Sequence, residues 1–280
     1  MTDQVDLSVV VPAYNEERRL PKMLDEALVF LENRCKQASK FSNSTDNPYY
    51  HKSKSTFSYE IIIVDDGSTD GTTNCGLKYQ KRYGSDKIRV ITLEQNRGKG
   101  GAVRAGVLES KGDYVIFADA DGASKFSDIE KLETFMLKNV DSKLLVAVGS
   151  RAHLEQQAAA ERSLFRTILM KGFHLLVWIC CVRTIRDTQC GFKMFNRAAA
   201  LLLFPWYHNE SWAFDVELLY LAEQTKCTIG EIAINWQEID GSKIVPIFSW
   251  IRMGWDVVCL SALYHLGIYT VPEIRNSRTE

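Results

Sequence analysis

The sequence predicts an α/β fold built on a mostly parallel central sheet. In its first half, short apolar runs of strand length alternate with stretches of helical length, the pattern of consecutive βαβ units. The chain has 280 residues and 46% hydrophobic content, enough for one large core. Polar motifs follow several apolar runs directly, and in a parallel sheet such positions meet at one functional edge.

Each predicted element corresponds to one of these runs. Strands are predicted at residues 7–11, 59–64, 88–93 and 114–118, and helices at residues 17–35, 72–83 and 100–110. Residues 39–58 are rich in Ser, Asn and Lys and have no apolar periodicity. They predict a mobile surface loop between the first helix and the second strand.

Two zones in the second half combine apolar residues with basic flanks. In residues 164–182, these apolar residues recur at helical spacing: Phe165, Ile168, Leu169, Phe173 and Leu176. The unbroken apolar run, 175–182, is shorter than the roughly 20 residues that a spanning helix needs. The other zone, 244–271, is rich in Trp and Tyr. Both zones predict either helices lying in a membrane interface or core helices, and we favour peripheral attachment to a membrane surface.

Charge and cysteine content exclude several classes of protein. The 34 basic and 35 acidic residues nearly cancel, so no overall field attracts nucleic acid and no such partner is expected. The seven cysteines include no C-x-x-C pair, which fits neither a disulfide framework nor a zinc site and favours a reducing compartment.

Acidic motifs follow the first and second predicted strands. Tyr14 and Glu16 follow the first strand, where Tyr14 can line a base pocket. Glu16 can accept hydrogen bonds from ribose hydroxyls or simply help to cap the next helix. Asp65 and Asp66 follow four apolar residues, and adjacent carboxylates in that position are costly unless they bind something.

A D-x-D motif, Asp119 and Asp121, follows the strand predicted at 114–118. Its two carboxylates are spaced to reach one hard divalent cation, Mg²⁺ or Mn²⁺, which would neutralise charge on a diphosphate leaving group. Between the acidic motifs lies the glycine-rich basic segment NRGKGG, with Lys99, which is suited to close approach of phosphates. It matches neither a Walker motif nor a dinucleotide fingerprint, so a kinase or dehydrogenase is disfavoured.

Taken in order, these motifs resemble those of family-two glycosyltransferases. The segments that carry the resemblance are VPAYNE, VDDGSTD, NRGKGGAVRAG and DADG. With GSRAHL, RDTQCGFKMF, WAFDVELLYLA and GSK, the chain is most similar to eukaryotic dolichyl-phosphate β-glucosyltransferases. The resemblance implies a GT-A, Rossmann-like nucleotide-sugar-binding fold. It also implies inverting transfer of glucose from UDP-glucose to dolichyl phosphate, for the lipid-linked oligosaccharide pathway, at the cytosolic face of the endoplasmic reticulum membrane.

The resemblance also implies a domain division and a role for each matching residue. The catalytic domain would span 1–240 and an amphipathic, membrane-associating segment 241–280. Donor-binding residues would be Pro12, Tyr14, Glu16, Asp65, Asp66, Lys99 and Asp119. Metal ligands would be Asp119 and Asp121, of which Asp121 is counted as catalytic. The acceptor phosphate would be held by Arg151, with Arg162, Lys193 and Lys243 as weaker candidates.

Two positions leave the mechanism open. Related mannosyl enzymes carry a polar residue where this chain has Ala123, so a third protein ligand there is not expected. Asp215 matches the catalytic base of many inverting relatives, but a phosphate acceptor, whose second pKa is about 6, is largely ionised without one. Asp215 can therefore position the acceptor, support a basic residue or transfer a proton.

Two alternative functions share most of these motifs. A mannosyltransferase that uses GDP-mannose would carry the same metal and phosphate residues. A non-catalytic, membrane-associated nucleotide-sugar sensor is the alternative of another class, and the presence of both Asp119 and Asp121 argues against it. The sequence does not indicate an oligomeric state.

Overall fold

The computed structural model describes residues 4–40, 56–154, 164–239 and 246–273. Within these ranges it contains seven strands: β1 (Val5–Ala13), β2 (Tyr59–Asp65), β3 (Ile88–Thr92), β4 (Gly112–Ala118), β5 (Leu145–Ser150), β6 (Phe192–Asn196) and β7 (Thr228–Ala233). The α-helices of the same ranges are α1 (Leu20–Lys40), α2 (Thr72–Tyr83), α3 (Gly98–Leu108), α4 (Ile129–Lys138), α5 (Leu164–Cys180), α6 (Arg197–Leu203), α7 (Phe214–Gln224) and α8 (Pro246–His265).

The described strands form one sheet in the order β3-β2-β1-β4-β6-β5-β7. Strands β1 to β4 pair in parallel, as does β5 with β7. Strand β6 is antiparallel to both β4 and β5. The predicted mostly parallel α/β fold is therefore confirmed. The direction of β6 places its first residue, Phe192, opposite Ala118 at the end of β4.

Helices cover both faces of the sheet, which gives the molecule two apolar cores. Along β1, Val9 and Val11 point into the core shared with α1, whereas Val10 points into the core shared with α3 and α7. This alternation follows from the two-residue repeat of a strand. Because both faces are covered, functional side chains are exposed only at the ends of the strands.

The predicted boundaries differ from the structure around the first connection. Helix α1 begins at Leu20 rather than at 17 and extends to Lys40, so residues 39 and 40 are helical and not part of a loop. Ser58 is also fixed, because its backbone amide and hydroxyl both donate to Asp6 Oδ2, at 2.8 and 2.7 Å. The predicted loop at 39–58 was therefore too wide, and residues 41–55 lie outside the described ranges.

Helices α5 and α8 correspond to the two apolar zones and pack against each other. Ser261 Oγ donates to the Cys180 carbonyl at 2.9 Å, and Val177 and Val257 are buried between the helices and the second core. Phe173 and Leu176, two of the periodic apolar residues of the first zone, pack partly buried against this core. No described helix is long and apolar enough to cross a bilayer.

Other apolar residues of α5 and α8 are exposed. We call this set the apolar face: Leu175, Trp178, Ile179, Ile251 and Trp255, each more than half exposed. Basic residues accompany it, since Arg183 lies 5.8 Å from the Trp178 ring and Arg252 is exposed one position after Ile251. The helices thus have one side in the core and one side that is apolar and exposed, and their place in a membrane interface stays a prediction.

Candidate functional site

The loops after β1 and β2 are bonded to each other. Asn15 has a left-handed backbone (φ 52°), which Asn tolerates better than most residues. Its amide donates to Ser68 Oγ at 2.8 Å, and its side-chain oxygen accepts from the Thr69 amide at 2.8 Å. Tyr14, just before this turn, is exposed at the same edge of the sheet. An aromatic ring on a fixed turn is a suitable wall for a nucleobase.

Glu16 is buried and bound to Arg19, which lies in the same turn. Arg19 Nε and Nη2 reach the two Glu16 oxygens at 2.6 and 2.5 Å, and the Glu16 carbonyl accepts from the Leu20 amide at 2.9 Å. The Glu16 carboxylate is thus bound by a side chain of its own turn, and neither a helix cap nor an external ligand is needed to explain its burial. Hydrogen bonding to a ribose stays a prediction. Pro12 is a buried residue of β1, opposite Val64 of β2.

Asp65 and Asp66 are 0% and 3% exposed, and protein groups satisfy both of them. Asp65 accepts from the Ser68 amide at 2.9 Å and from the Thr73 hydroxyl. Asp66 accepts from the backbone amides of Arg97 and Gly98, at 2.7 and 2.9 Å. The burial of these two carboxylates therefore does not require an external ligand, which was the explanation expected from the sequence. An N–H group of a nucleobase that bound Asp66 would share the carboxylate oxygens that already accept from the amides of Arg97 and Gly98.

The glycines of this segment serve close packing with residues 208–214. A Cβ added at Gly98, whose φ is +87°, would lie 2.5 Å from the Glu210 carbonyl, and one at Gly100 would lie 2.7 Å from Phe214 Cβ. Arg97 is paired with the Glu210 carboxylate. The absence of a side chain at Gly98 and Gly100 is thus explained by packing within the protein, and phosphate approach to this segment stays a prediction. Lys99 remains as the cation directed toward the strand ends.

Asp119, Asp121 and Lys99 form the polar centre of the edge. Lys99 Nζ lies 2.7 Å from Asp119 Oδ1, and the Asp121 carboxylate accepts from the Ala123 amide at 2.9 Å. The side chain of Asp119 is 33% exposed, in contrast to the buried pair after β2. Burial lowers the pKa of Lys99, but the charges of Asp119 and Asp215 outweigh burial and raise that pKa above its ordinary value. Lys99 is therefore a permanent cation beside the D-x-D motif.

The two carboxylates fit a divalent cation. Burial, and next the charge of Asp119, raises the pKa of Asp121 above its ordinary value, and a cation between the two would remove this repulsion. Among the described residues no group of three His, Cys, Asp or Glu side chains could hold an ion. An ion bound here would need diphosphate oxygens or water as further ligands, which is the usual arrangement for Mg²⁺.

Arg151, after β5, is held by Asp187. Its Nε and Nη2 reach the two Asp187 oxygens at 2.8 Å each, and its backbone amide donates to Oδ2 at 2.8 Å. Burial alone would raise the pKa of Asp187, but its bonds to Arg151 hold that pKa below its ordinary value. The Arg151 guanidinium also lies 5.4 Å from the Trp236 ring. It is oriented and only partly exposed, so a phosphate would approach a guanidinium whose charge Asp187 partly neutralises.

Lys193 and Asp215 form an ion pair in the interior. Both are essentially unexposed, and Lys193 Nζ donates to Asp215 Oδ1 and, at 2.6 Å, to the Cys190 carbonyl. The predicted contact of Lys193 with an acceptor phosphate is wrong for this structure, because no part of its side chain reaches the surface. Asp215 is equally inaccessible to an acceptor. Arg162 and Lys243, the other weaker candidates, lie outside the described residues.

Several residues at the site have no clear signal in the sequence. Arg19 lies in the same turn as Glu16, and Asp187, Trp212 and Trp236 approach the predicted residues from other loops, with Trp212 5.7 Å from Lys99 Nζ. For Trp236 the position follows from the bridge that it forms with Ser124, just after the D-x-D motif. Asp187 and Trp212 lie within the motifs RDTQCGFKMF and WAFDVELLYLA, but those motifs do not indicate which residue each side chain meets.

Comparison of the sequence with known proteins identifies its relatives. Residues 8–202 match the family described as Glycosyl transferase family 2. The chain is 53% identical over 271 residues to the Dolichyl-phosphate beta-glucosyltransferase of Homo sapiens, covering 96% of this chain and 79% of that protein. It is 47% identical over 278 residues to the protein of the same name from Saccharomyces cerevisiae, covering 95% of this chain and 77% of that protein.

Solved structures show the same fold. Glucosyl-3-phosphoglycerate synthase from Mycobacterium tuberculosis, in complex with Mn²⁺, UDP-glucose and phosphoglyceric acid, aligns with a TM-score of 0.61 and 18% identity, over 97% of this chain and 82% of that one. The same enzyme in complex with Mg²⁺ and UDP aligns with a TM-score of 0.57. The GT-A fold is thereby confirmed. The chain belongs to glycosyl transferase family 2 and, within it, to the family of the dolichyl-phosphate beta-glucosyltransferases.

Proposed function

We propose that this protein transfers glucose from UDP-glucose to dolichyl phosphate with inversion, giving dolichyl β-D-glucosyl phosphate and UDP. The observation that carries the proposal is the group formed by Asp119, Asp121 and Lys99 at the carboxyl end of the parallel strands. The names of relatives up to 53% identical support glucose as the sugar and dolichyl phosphate as the acceptor. A mannosyltransferase that uses GDP-mannose is not favoured, because these relatives are named as glucosyltransferases.

The donor would bind across the ends of β1 and β4. Tyr14 would flank the base, and Asp119 and Asp121 would hold Mg²⁺ or Mn²⁺ on the diphosphate. The metal would neutralise charge on the departing UDP. Lys99 would supply a second positive charge beside the same leaving group, and its bond to Asp119 keeps it there before the donor arrives.

The acceptor phosphate would approach Arg151. The Asp187 carboxylate and the Trp236 ring orient the Arg151 guanidinium, so little conformational freedom is lost when an anion binds. A lipid phosphate is already largely dianionic near neutral pH, so its oxygen can attack the anomeric carbon without a base. Binding the two anionic substrates side by side is then the main task of these cationic residues.

The acceptor's polyprenyl chain requires contact with a membrane, and we assign that contact to the apolar face. Its five residues are exposed, apolar and contributed by two packed helices. Exposed apolar surface next to cations suits a bilayer that contains anionic lipids. The proposed location is the cytosolic face of the endoplasmic reticulum membrane.

The proposal is tested by incubating the purified protein with UDP-glucose, UDP-GlcNAc or GDP-mannose and with dolichyl phosphate in detergent. We expect a glucosylated lipid from UDP-glucose alone and its loss when EDTA removes the metal. Added Mg²⁺ or Mn²⁺ should restore it. Transfer from GDP-mannose in place of UDP-glucose would contradict the donor assignment, and full activity in excess EDTA would contradict the metal.

A further inference from the structure

The buried pair of Lys193 and Asp215 lies directly beneath the proposed metal site. Lys193 Nζ donates to the Cys190 carbonyl at 2.6 Å, and Asp215 neutralises the ammonium. Lys193 is part of β6, so this bond fixes the turn that enters β6 to the strand itself. A charge without exposure to water is tolerated only when it is paired in this way.

The turn fixed by Lys193 supports Asp119. The Gly191 carbonyl accepts from the Asp119 amide at 3.1 Å. A Cβ at Gly191 would lie 2.0 Å from Asp119 Oδ2, so backbone and carboxylate of Asp119 both rest on this residue. The antiparallel direction of β6 brings the turn there, since Phe192 pairs with Ala118.

Lys99 links the same group from the opposite side. Its ammonium is 2.7 Å from Asp119 Oδ1, and the charge of Asp215 acts on it as well. The four charges therefore alternate in sign, from Asp119 through Lys99 and Asp215 to Lys193. Neutralising Asp215 would leave both lysines without a shared counter-charge, and the support of Asp119 would loosen.

We propose that Asp215 and Lys193 are positioning residues for the metal site, acting through the Cys190–Gly191 turn on Asp119, and that Asp215 takes no proton from the acceptor. Asp215 is 1% exposed and bound to Lys193, which leaves no approach for an acceptor oxygen. This inference rests on the proposed function, because it assumes that Asp119 is a metal ligand.

The test measures Mn²⁺ binding in the presence of UDP by electron paramagnetic resonance, UDP binding by calorimetry, and kcat against pH. The variants are Asp215→Asn, Lys193→Met, their combination, and Gly191→Ala, which disturbs Asp119 without unpairing a buried charge. The control is Glu133→Gln, which breaks the largely buried pair with Arg34 between α1 and α4. That pair joins α1 to α4 on the other face of the sheet from Asp215.

We expect each of the first two variants and Gly191→Ala to weaken Mn²⁺ affinity by about tenfold, the usual effect of disturbing groups that orient a ligand. The double variant should lose little more than either single one, since both act on one turn. The shape of the pH profile should not change. Glu133→Gln should bind Mn²⁺ and UDP as the parent does.

Two results would overturn the inference. One is parental Mn²⁺ binding by Gly191→Ala. The other is parental binding by Asp215→Asn together with a large loss of kcat and of the acidic limb of the pH profile, which would identify a general base. If a buried-charge variant does not fold, parental Mn²⁺ binding by Gly191→Ala would still overturn the inference. Failure of the parent itself to bind Mn²⁺ with UDP would overturn the proposed function and this inference with it.

Discussion

Two pairs of aspartates follow neighbouring regions of the same sheet and have opposite surroundings. Asp65 and Asp66 are buried and accept hydrogen bonds from the loops around them. Asp119 is one-third exposed, and burial together with Asp119 raises the pKa of Asp121. Burial raises the pKa of Asp66 as well as that of Asp121, so the pKa shift does not separate the two pairs. The difference is that backbone amides satisfy Asp66, whereas part of Asp119 stays exposed to a cation. The sequence motif alone does not distinguish these two uses.

The largest effect should come from the second pair. Asp119→Asn or Asp121→Asn removes a charged metal ligand, and we expect glucosyl transfer to fall by more than about a hundredfold, as is typical when charge on a leaving group is left unneutralised. Thermal stability should not decrease for Asp121→Asn, because the substitution relieves repulsion. Initial rates with UDP-glucose and a melting curve would check both expectations. Full activity of either variant would contradict the assigned role.

Asp66→Asn should behave in the opposite way. An amide offers one acceptor to the two backbone N–H groups of Arg97 and Gly98, so we expect a loss of about 2 kcal/mol in the free energy of unfolding. Activity should fall only as the glycine-rich segment loosens. Urea denaturation of this variant beside Asp121→Asn would sharpen the comparison. Equal stability of the two would show that the Asp66 bonds contribute little.

Arg151 should affect the acceptor more than the donor. Arg151→Ala removes the cation and leaves Asp187 unpaired, so we expect the KM for dolichyl phosphate to rise about tenfold, the equivalent of one charge-assisted hydrogen bond. Arg151→Lys should restore only part of the affinity for dolichyl phosphate, since lysine cannot make the bidentate contact with Asp187. UDP affinity, measured by calorimetry, should stay at the parental value. A matching loss of UDP affinity would move Arg151 to the donor side.

The smallest effect on chemistry should come from the apolar face. We expect Trp178→Glu with Trp255→Glu to reduce sedimentation with vesicles of phosphatidylcholine and phosphatidylserine, while UDP-glucose binding persists. Val29→Glu, at an exposed apolar residue on the opposite face of the sheet, is the matched control. Leu176→Glu should instead destabilise the protein, because Leu176 packs on the core. Parental sedimentation of the double variant would remove the apolar face from the proposal.

The sequence predicted the parallel half of the sheet well, because apolar runs such as 59–64 and the acidic residues after them are local signals. It did not predict the direction of β6, which depends on pairing with two strands that lie elsewhere in the chain. The helical spacing of the apolar residues in α5 was recognised from the sequence. The side that faces the core was not, because Phe173, which packs on the core, and Trp178, which is exposed, are both large apolar residues.

Ion pairs between residues far apart in the sequence could not be predicted from local patterns either. Lys193 lies in the motif RDTQCGFKMF and was a candidate for binding the acceptor phosphate. Only its burial and its bond to Asp215 show that it is an interior cation. Arg151 was recognised, but its partner Asp187 lies 36 residues later and precedes no predicted strand. The motifs therefore identified which segments form the site, and the contacts decided which residues remain available to a ligand.

The insertion of β6 between β4 and β5 also constrains the order of folding. Among the described strands, β5 pairs with β6 and β7 alone, so it is synthesised before either of its partners. Strands β1 to β4, by contrast, have all their mutual pairings once Ala118 has been made. During synthesis we expect the donor half to form first and β5 to wait, exposing apolar residues until β6 emerges. A ribosome that pauses after Ser150 has emerged and before Phe192 has emerged would therefore hold the chain with β5 unpaired.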